Sequence, residues 1–304
     1  MSHLVILFLA MLLDAAVGEP RWMWERVPHP AQLIGRAIEW KEAQLNTGDG
    51  RRLKGVLALA GLALGAVIAG IVLSWLGWIA QLLIAAVLIS QRALVDHVAA
   101  VGDALRLSVG DGRLMVARIV GRDTSAMDGP AVARAAIESA AENLSDSVIA
   151  PVFWFVVAGL PGLVLYKAVN TADSMIGYRN DRYAEFGWAS ARCDDLLNWI
   201  PARLTAGIIA VTHGQIRALG EIAEDARLHR SPNAGWPEAA MARALGVALS
   251  GPRSYDGELR DYPYVNEDGT KALGPAHVDA ACAALWRSWA ATLAGVLLLA
   301  LASG

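Results

Sequence analysis

The sequence predicts an all-α, polytopic integral membrane protein with a cytoplasmic helical region and broken or re-entrant helices. Three observations carry that prediction. Only 18% of the residues are charged and 55% are hydrophobic, whereas a soluble domain has about 25% charged residues; the mean hydropathy is +0.40. Two long apolar runs, 54–73 and 78–95, are joined by the tight link Ser74–Gly77. The stretch Tyr166–Arg203 packs lysine, arginine, aspartate and asparagine between apolar segments interrupted by proline and glycine. Charge in such a setting is costly to desolvate and points to a partner or a ligand.

The pattern reads as one membrane-embedded domain, 1–304, in three regions. An N-terminal membrane helix and a transmembrane hairpin occupy 1–95. A helical region with broken apolar segments at 148–165 and 196–213 occupies 96–284, and a C-terminal membrane helix occupies 285–304. The first run, Leu4–Val17, is short for a span, which needs about 20 residues. No Lys or Arg precedes it and Asp14 lies inside it, which argues for a membrane helix over a cleaved signal peptide. Gly18, Pro20, Pro28 and Pro30 then break helix, and Trp22 and Trp24 suit a membrane–water interface. A short amphipathic helix follows from Ala31 to Glu42. Arg51, Arg52 and Lys54 at one end of the hairpin and Arg92 at the other place both ends in the cytoplasm by the positive-inside rule.

Beyond the hairpin the chain turns polar. Gly110, Asp111 and Gly112 predict a turn, followed by a short helix over Leu114–Val120. Asp128 as N-cap with Pro130 in the first turn predicts a helix to Leu144. Glu138, Glu142 and Asp146 recur every four residues and align on one helical face. That stripe is either a solvated acidic face or a place for magnesium or a cationic substrate. Segment 148–165 contains Pro151, Gly159, Pro161 and Gly162. As a full span it would set the central polar stretch across the membrane from the acidic stripe, so segments 148–165 and 196–213 are expected instead to form a hairpin or buried helical pair that brings the two polar clusters together. An amphipathic helix is expected over Gln215–Leu228, a turn over Ser231–Pro237, a helix over Glu238–Leu249 and an irregular polar stretch over Gly251–Gly274. The last apolar run is Ser288–Ala302.

Several function classes are excluded. A net charge of -3 without a polybasic run gives no support for nucleic-acid binding. The two cysteines make neither a disulfide framework nor a zinc site and read as packing residues. The sequence has no P-loop, no dinucleotide glycine fingerprint, no GxSxG and no HExxH. His29 and His213 read as packed or hydrogen-bonded rather than ligating. What remains is grouped Asp, Glu, Asn, Arg and Lys. That inventory suits phosphate chemistry, in which carboxylates hold magnesium and cations hold phosphate oxygens. The rival use is an ion pathway, but the internal repeats of a transporter are missing.

Four stretches resemble the CobD/CbiB family of cobalamin-biosynthesis membrane proteins. They are LLDAAVGEPRW with PHPAQLIG, GRDTSAMD with RAAIESAAENLSDSVIAP, YKAVNTADSMIGYRNDRYAEFGWASARCDDLLNWIPARLT, and SPNAGWPEAAMARALGV with the later YDG at 255–257. The resemblance covers nearly the whole chain. It implies an adenosylcobinamide-phosphate synthase, an inner-membrane ligase with its active site toward the cytoplasm. Such a ligase joins aminopropanol or its phosphate, or ethanolamine phosphate, to a side-chain carboxylate of adenosylcobyric acid with ATP and Mg2+. Membrane lipid is an expected partner, nucleic acid is not, and a homo-oligomer is left open. The rival readings are a corrinoid transport or binding protein without catalysis and a non-catalytic signalling protein.

On the matched positions, the chemistry assigns Glu138, Glu142, Asp146 and Asp123 to magnesium, with Asp173 as a further ligand in the catalytic set. Lys167, Arg179, Arg192 and Arg122 are phosphate clamps, and Asp194 and Asp195 bind the amine or a second metal. Asn143, Asn170, Thr171 and Ser174 orient substrates or nucleotide, and Asn233, ahead of a helix N-terminus, is a cofactor contact. Phe153, Trp154, Trp188, Trp199 and Trp236 either contact the corrin or anchor the chain at the interface.

Overall fold

The structure, a computed structural model, describes residues 2–255, 258–260 and 262–303; Asp256 and Gly257 of the YDG stretch lie outside the described residues. Among the described residues, four segments are long and apolar enough to cross a membrane: Arg51–Ser74, Trp78–Leu107, Gly129–Ile176 and Pro275–Ala302. The all-α polytopic membrane fold follows from them, and among the described residues the only strands are two short antiparallel pairs in the polar region. Two compact units form, each from non-consecutive stretches: Met1–Ser90 with Ala150–Trp199 and Val296–Gly304, and Gln91–Ile149 with Ile200–Gly295.

The first unit begins with α1 (His3–Val17), α2 (Arg21–Trp24) and α3 (Pro30–Leu45). It continues with α4 (Arg51–Ser74) and α5 (Trp78–Leu88). Leu7 and Met11 of α1 are fully buried, and the helix packs on α5. His29 caps α3, and Pro30 occupies its first turn, where a missing N–H costs nothing. The 24 residues of α4 make a rod of about 36 Å, longer than the ~30 Å hydrocarbon core. Small residues on α4 let backbones approach it, the usual way helices associate in lipid. A Cβ on Gly70 would meet Pro161 Cα at 2.5 Å, and one on Gly55 would collide with the Phe186 carbonyl. Ile38, Ala58, Ala172, Ile176 and Phe186 form a buried cluster beside these contacts.

The long segment α9 (Ala150–Ile176) is two helices joined by a reversal. Ala158 leaves the helical region and Gly159 takes φ 62, ψ -154, a conformation only glycine adopts freely. Pro161 then starts the second arm in a turn that needs no N–H. A Cβ on Gly162 would lie 2.5 Å from the Trp154 carbonyl oxygen and 2.7 Å from Ala158 Cβ. A straight helix would separate residues 154 and 162 by about 12 Å, so the arms fold back on one another. Segment 148–165 is therefore broken, as expected, and it reverses within itself. The first unit closes with α10 (Trp188–Leu197).

The second unit contains α6 (Gln91–Leu107), α7 (Val109–Val116), α8 (Gly129–Leu144) and a π turn at Ser145–Ile149. It goes on with α11 (Trp199–Thr212), a 3-10 turn, α12 (Leu219–Ala226), α13 (Gly235–Leu245) and most of α14 (Pro275–Ala302). Asp128 Oδ1 accepts from Ala131 N at 2.8 Å and starts α8 where expected. Strand β1 (Leu249–Ser250) pairs with β4 (Tyr264–Val265), and β2 (Arg253–Tyr255) pairs with β3 (Glu258–Arg260), inside the stretch expected to be irregular.

Four expectations are corrected. The second run of the hairpin is not one helix over 78–95, because Ile89 turns extended (φ -100, ψ 115) and α6 restarts at Gln91. Gly110–Gly112 lie inside α7 rather than in a turn. Ser108 Oγ caps that helix by accepting from Asp111 N at 3.0 Å, and a Cβ on Gly112 would crowd the Leu105 and Val132 side chains. The helix expected over 215–228 is shorter, split into the 3-10 turn Ile216–Ala218 and α12. Helix α13 starts before Glu238, because Ser231 Oγ accepts from Asn233 N and Ala234 N and moves the cap upstream; it ends at Leu245, where Gly246 takes φ 65.

Candidate functional site

The densest polar group of the first unit lies between the second arm of α9 and α10. Lys167, Asn170 and Ser174 share one face of α9 by their spacing, with Thr171 and Asp173 beside them. Asn170 Nδ2 donates to Asp194 Oδ1 at 3.2 Å, and Asn198 Nδ2 donates to Asp194 Oδ2 at 3.0 Å. The fully buried Tyr166 hydroxyl donates to Asn198 Oδ1 at 2.9 Å. Burial pushes the Asp194 carboxyl up to about 6; the two amides pull it down, and the neighbouring Asp195 adds to the rise. The amide donors favour the charged form without neutralising it, so desolvation wins.

Asp195 is also raised by burial, but Arg192 and Arg179 oppose the shift. Arg192 Nη1 lies 3.4 Å from Asp195 Oδ2. Burial pushes the Cys193 thiol up as well, which suits a packing residue and not a nucleophile.

The connection from Gly177 to Gly187 is a closed loop. A Cβ on Gly187 would strike the Ile176 carbonyl and one on Gly177 would strike Asp173, so both ends require glycine. Arg182 grips Glu42 with two nitrogens at 3.0 and 3.1 Å, and this pairing holds the Glu42 carboxyl below its usual range. Asn46 Nδ2 donates to the Arg182 carbonyl at 3.0 Å, and Arg51 Nη1 to the Asp181 carbonyl at 3.2 Å. Arg182 therefore anchors the loop, while the exposed Arg179 projects charge toward Asp195. Ser174 and Thr171 hydroxyls donate back to the carbonyls of Asn170 and Lys167 on their own helix.

In the second unit, Arg122 Nη2 donates to Glu138 Oε2 at 2.7 Å, and the Ser250 N–H donates to Glu138 Oε1 at 2.7 Å. Both side chains of that ion pair are about nine-tenths buried. Asp123 accepts from Ser125 N and Oγ at 2.9 and 3.0 Å, which holds its carboxyl low. Asn143 Nδ2 donates to the Ser139 carbonyl at 2.9 Å. Glu142 is exposed and Asp146 half-buried in the π turn. Asn233 Oδ1 accepts from Arg203 Nη1 at 3.1 Å, and the Arg203 guanidinium lies 4.7 Å from the Trp236 ring centroid.

The geometry sorts the expected residues. It gathers Asn170, Asp194, Asp195, Arg179 and Arg192, and it pairs Arg122 with Glu138. The four carboxylates expected to cage magnesium are not gathered, and among the described residues no group of three or more His, Cys, Asp or Glu is placed to hold a metal ion. Glu138, a buried carboxylate, is engaged by Arg122 and the Ser250 N–H, and the exposed Asp123 by its neighbour Ser125. The equal spacing of Glu138, Glu142 and Asp146 gave no hint of their unequal burial.

Residues given no site role by the sequence reading complete the picture. Tyr166 and Asn198 support Asp194; the spacing of Asn198, four after Asp194, was the available signal. Trp24, Glu19 and His29 lie together in the turn between α1 and α3, and the His29 ring carries the electrostatic influence of Lys167.

The family model described as CobD/Cbib protein matches residues 7–285. The chain is 46% identical over 302 residues to the cobalamin biosynthesis protein CobD of Brucella suis, covering 93% of this chain and 92% of that protein. It is 45% identical over 297 residues to CobD of Rhizobium meliloti, covering 91% of each. To CobD of Rhodobacter capsulatus it is 51% identical over 277 residues, 88% of each. No solved structure matches the chain.

Proposed function

The chain belongs to the CobD/CbiB family, and from that premise we propose that it is an amide-bond ligase of cobalamin biosynthesis. It joins aminopropanol, as such or as its phosphate, to a side-chain carboxylate of adenosylcobyric acid with ATP. The product is adenosylcobinamide or its phosphate. One observation carries the chemistry. A buried carboxylate, Asp194, is held by two amides with its acidity near neutrality, next to Asp195 between two arginines, in an otherwise apolar protein.

A carboxylate is a poor electrophile. Transfer of the ATP terminal phosphoryl group to it gives an acyl phosphate and ADP. The amine then attacks the carbonyl carbon, the C–O bond to phosphate breaks, and the amine gives up a proton. Asp194, ionised above about pH 6, would accept that proton. Lys167, Arg179 and Arg192 offset charge on the phosphoryl oxygens, and Asn170 orients Asp194. Magnesium fits as an ion carried by the nucleotide, since it usually takes one or two carboxylates plus substrate phosphates. Glu138 and Asp123 engage their carboxylates with local partners, so the ion would offset phosphate charge as part of the nucleotide. The positive-inside arrangement of Arg51, Arg52 and Lys54 supports a cytoplasmic active face in the inner membrane.

The test is direct. Purified protein in detergent, given adenosylcobyric acid, ATP, magnesium and aminopropanol phosphate, should yield the amide by mass spectrometry with one phosphate released per bond. Corrinoid binding without any ATP-dependent amide would overturn the ligase reading and leave a carrier.

A further inference from the structure

The turn from Gly18 to Pro30 takes no part in the chemistry above, yet it holds two buried donors. His29 Nδ1 accepts the Ala31 N–H at 3.2 Å, so a neutral ring carries its proton on Nε2. Nε2 is buried and, among the described residues, has no hydrogen-bond partner. Glu19 Oε1 stands 4.0 Å away, beyond hydrogen-bond reach. Trp24 Nε1 is a second buried N–H in the same condition, on a ring whose centroid is 4.4 Å from the imidazole. Burial lowers the His29 pKa, Glu19 opposes, and the charge of Lys167 lowers it further. The ring is therefore neutral at pH 7, and no histidine–glutamate ion pair satisfies it.

Buried donors are almost always paired, and an exception asks for a reason. Two such N–H groups on adjoining rings, within the field of a lysine, are the inventory that binds an oxyanion. We propose that Trp24 Nε1–H and His29 Nε2–H form a subsite for the oxyanion of a phosphate ester, within the electrostatic reach of Lys167. Glu19, whose side chain is 38% exposed, covers the His29 donor and turns into solvent when the anion enters. The identity of the ligand rests on the ligase reading: the phosphate belongs either to the amine substrate or to the nucleotide.

Inorganic phosphate is the probe, titrated calorimetrically into the full-length protein in detergent. His29→Asn keeps a capping acceptor but has no ring N–H, and Trp24→Phe keeps the ring without its donor. Each should bind phosphate about tenfold more weakly than the parent, the loss expected for one hydrogen bond to a charged ligand. Glu19→Gln should bind it more tightly. Absence of phosphate binding by the parent, or equal binding by both donor variants, overturns the subsite; should His29→Asn not fold, Trp24→Phe alone decides. These outcomes do not depend on ligase activity. In the turnover assay, a raised KM for the aminoalkyl phosphate with an unchanged KM for ATP assigns the subsite to the amine. The converse assigns it to the nucleotide, and no change in either KM overturns its part in the reaction.

Discussion

The side-chain amide of Asn170, on the returning arm of α9, donates to Asp194 of α10 at 3.2 Å. Asn198 donates to the other Asp194 oxygen, and Tyr166 fixes Asn198 in turn. Amide donors orient a carboxylate without supplying a counter-charge, so the acidity of Asp194 rests on a balance between burial and hydrogen bonding. That balance is what catalysis near neutral pH needs.

Asp194→Asn keeps the size of the side chain and should lower kcat by about a hundredfold or more, with an unchanged circular dichroism spectrum. In the parent, only the ionised form accepts a proton, so kcat/KM should rise with pH through about 6. Asn170→Ala removes a donor that favours the charged form, and the acid limb should move to higher pH. The stability linkage has the opposite sense to an ordinary aspartate. The native pKa is raised, so this group contributes stability at low pH that is lost as pH climbs from the unfolded value of about 3.9 toward about 6.

Lys167→Ala should abolish amide formation while the protein remains monodisperse in detergent. Glu142→Ala should do the same, with activity partly restored at high magnesium if the carboxylate holds the ion. Full activity in both variants would remove these residues from the mechanism.

Gly70→Val would drive a branched side chain into Pro161, where a Cβ alone sits 2.5 Å from the proline Cα. The expected cost is about 1–3 kcal/mol, read as a lower melting temperature. Gly65→Val, on the same helix with nothing within 4 Å of its Cβ position, should be neutral by the same measurement.

Single cysteines at Asp49 and Asn180 should react with an impermeant maleimide from the same side of the membrane, and one at Leu76 from the other. The loop carrying Asn180 is tied to the start of α4 by the bonds from Arg51 and Asn46, whereas Leu76 follows the end of that helix. Labelling of Asp49 and Asn180 from opposite sides would contradict the reversal in α9.

Much of the fold was legible in the sequence. The apolar runs gave the spans, Asp128 with Pro130 gave the start of α8, and the glycines and prolines of 148–165 gave the break in that segment. Helix edges were less legible where a cap overrode composition: Ser108 turned a glycine-rich turn into α7, and Ser231 started α13 early. The candidate site was legible as a list of residue types but not as a geometry. Equal spacing made Glu138, Glu142 and Asp146 look alike, yet Glu138 is buried against Arg122 and Glu142 is exposed.

The sequence by itself determined the membrane class, the family and the density of charge from Tyr166 to Arg203, because hydropathy and motif are properties of a chain read in order. The partners of those charges came only with the tertiary structure. Arg182 is bound by Glu42, 140 positions away in the chain, while Arg179 stays exposed and its charge opposes the burial of Asp195. The Gly159 reversal returns α9 toward α10, so that Asn170 and Asn198 meet on Asp194. Burial and hydrogen-bond partners are set by packing across the chain, and they decide whether a carboxylate is a strut or a base.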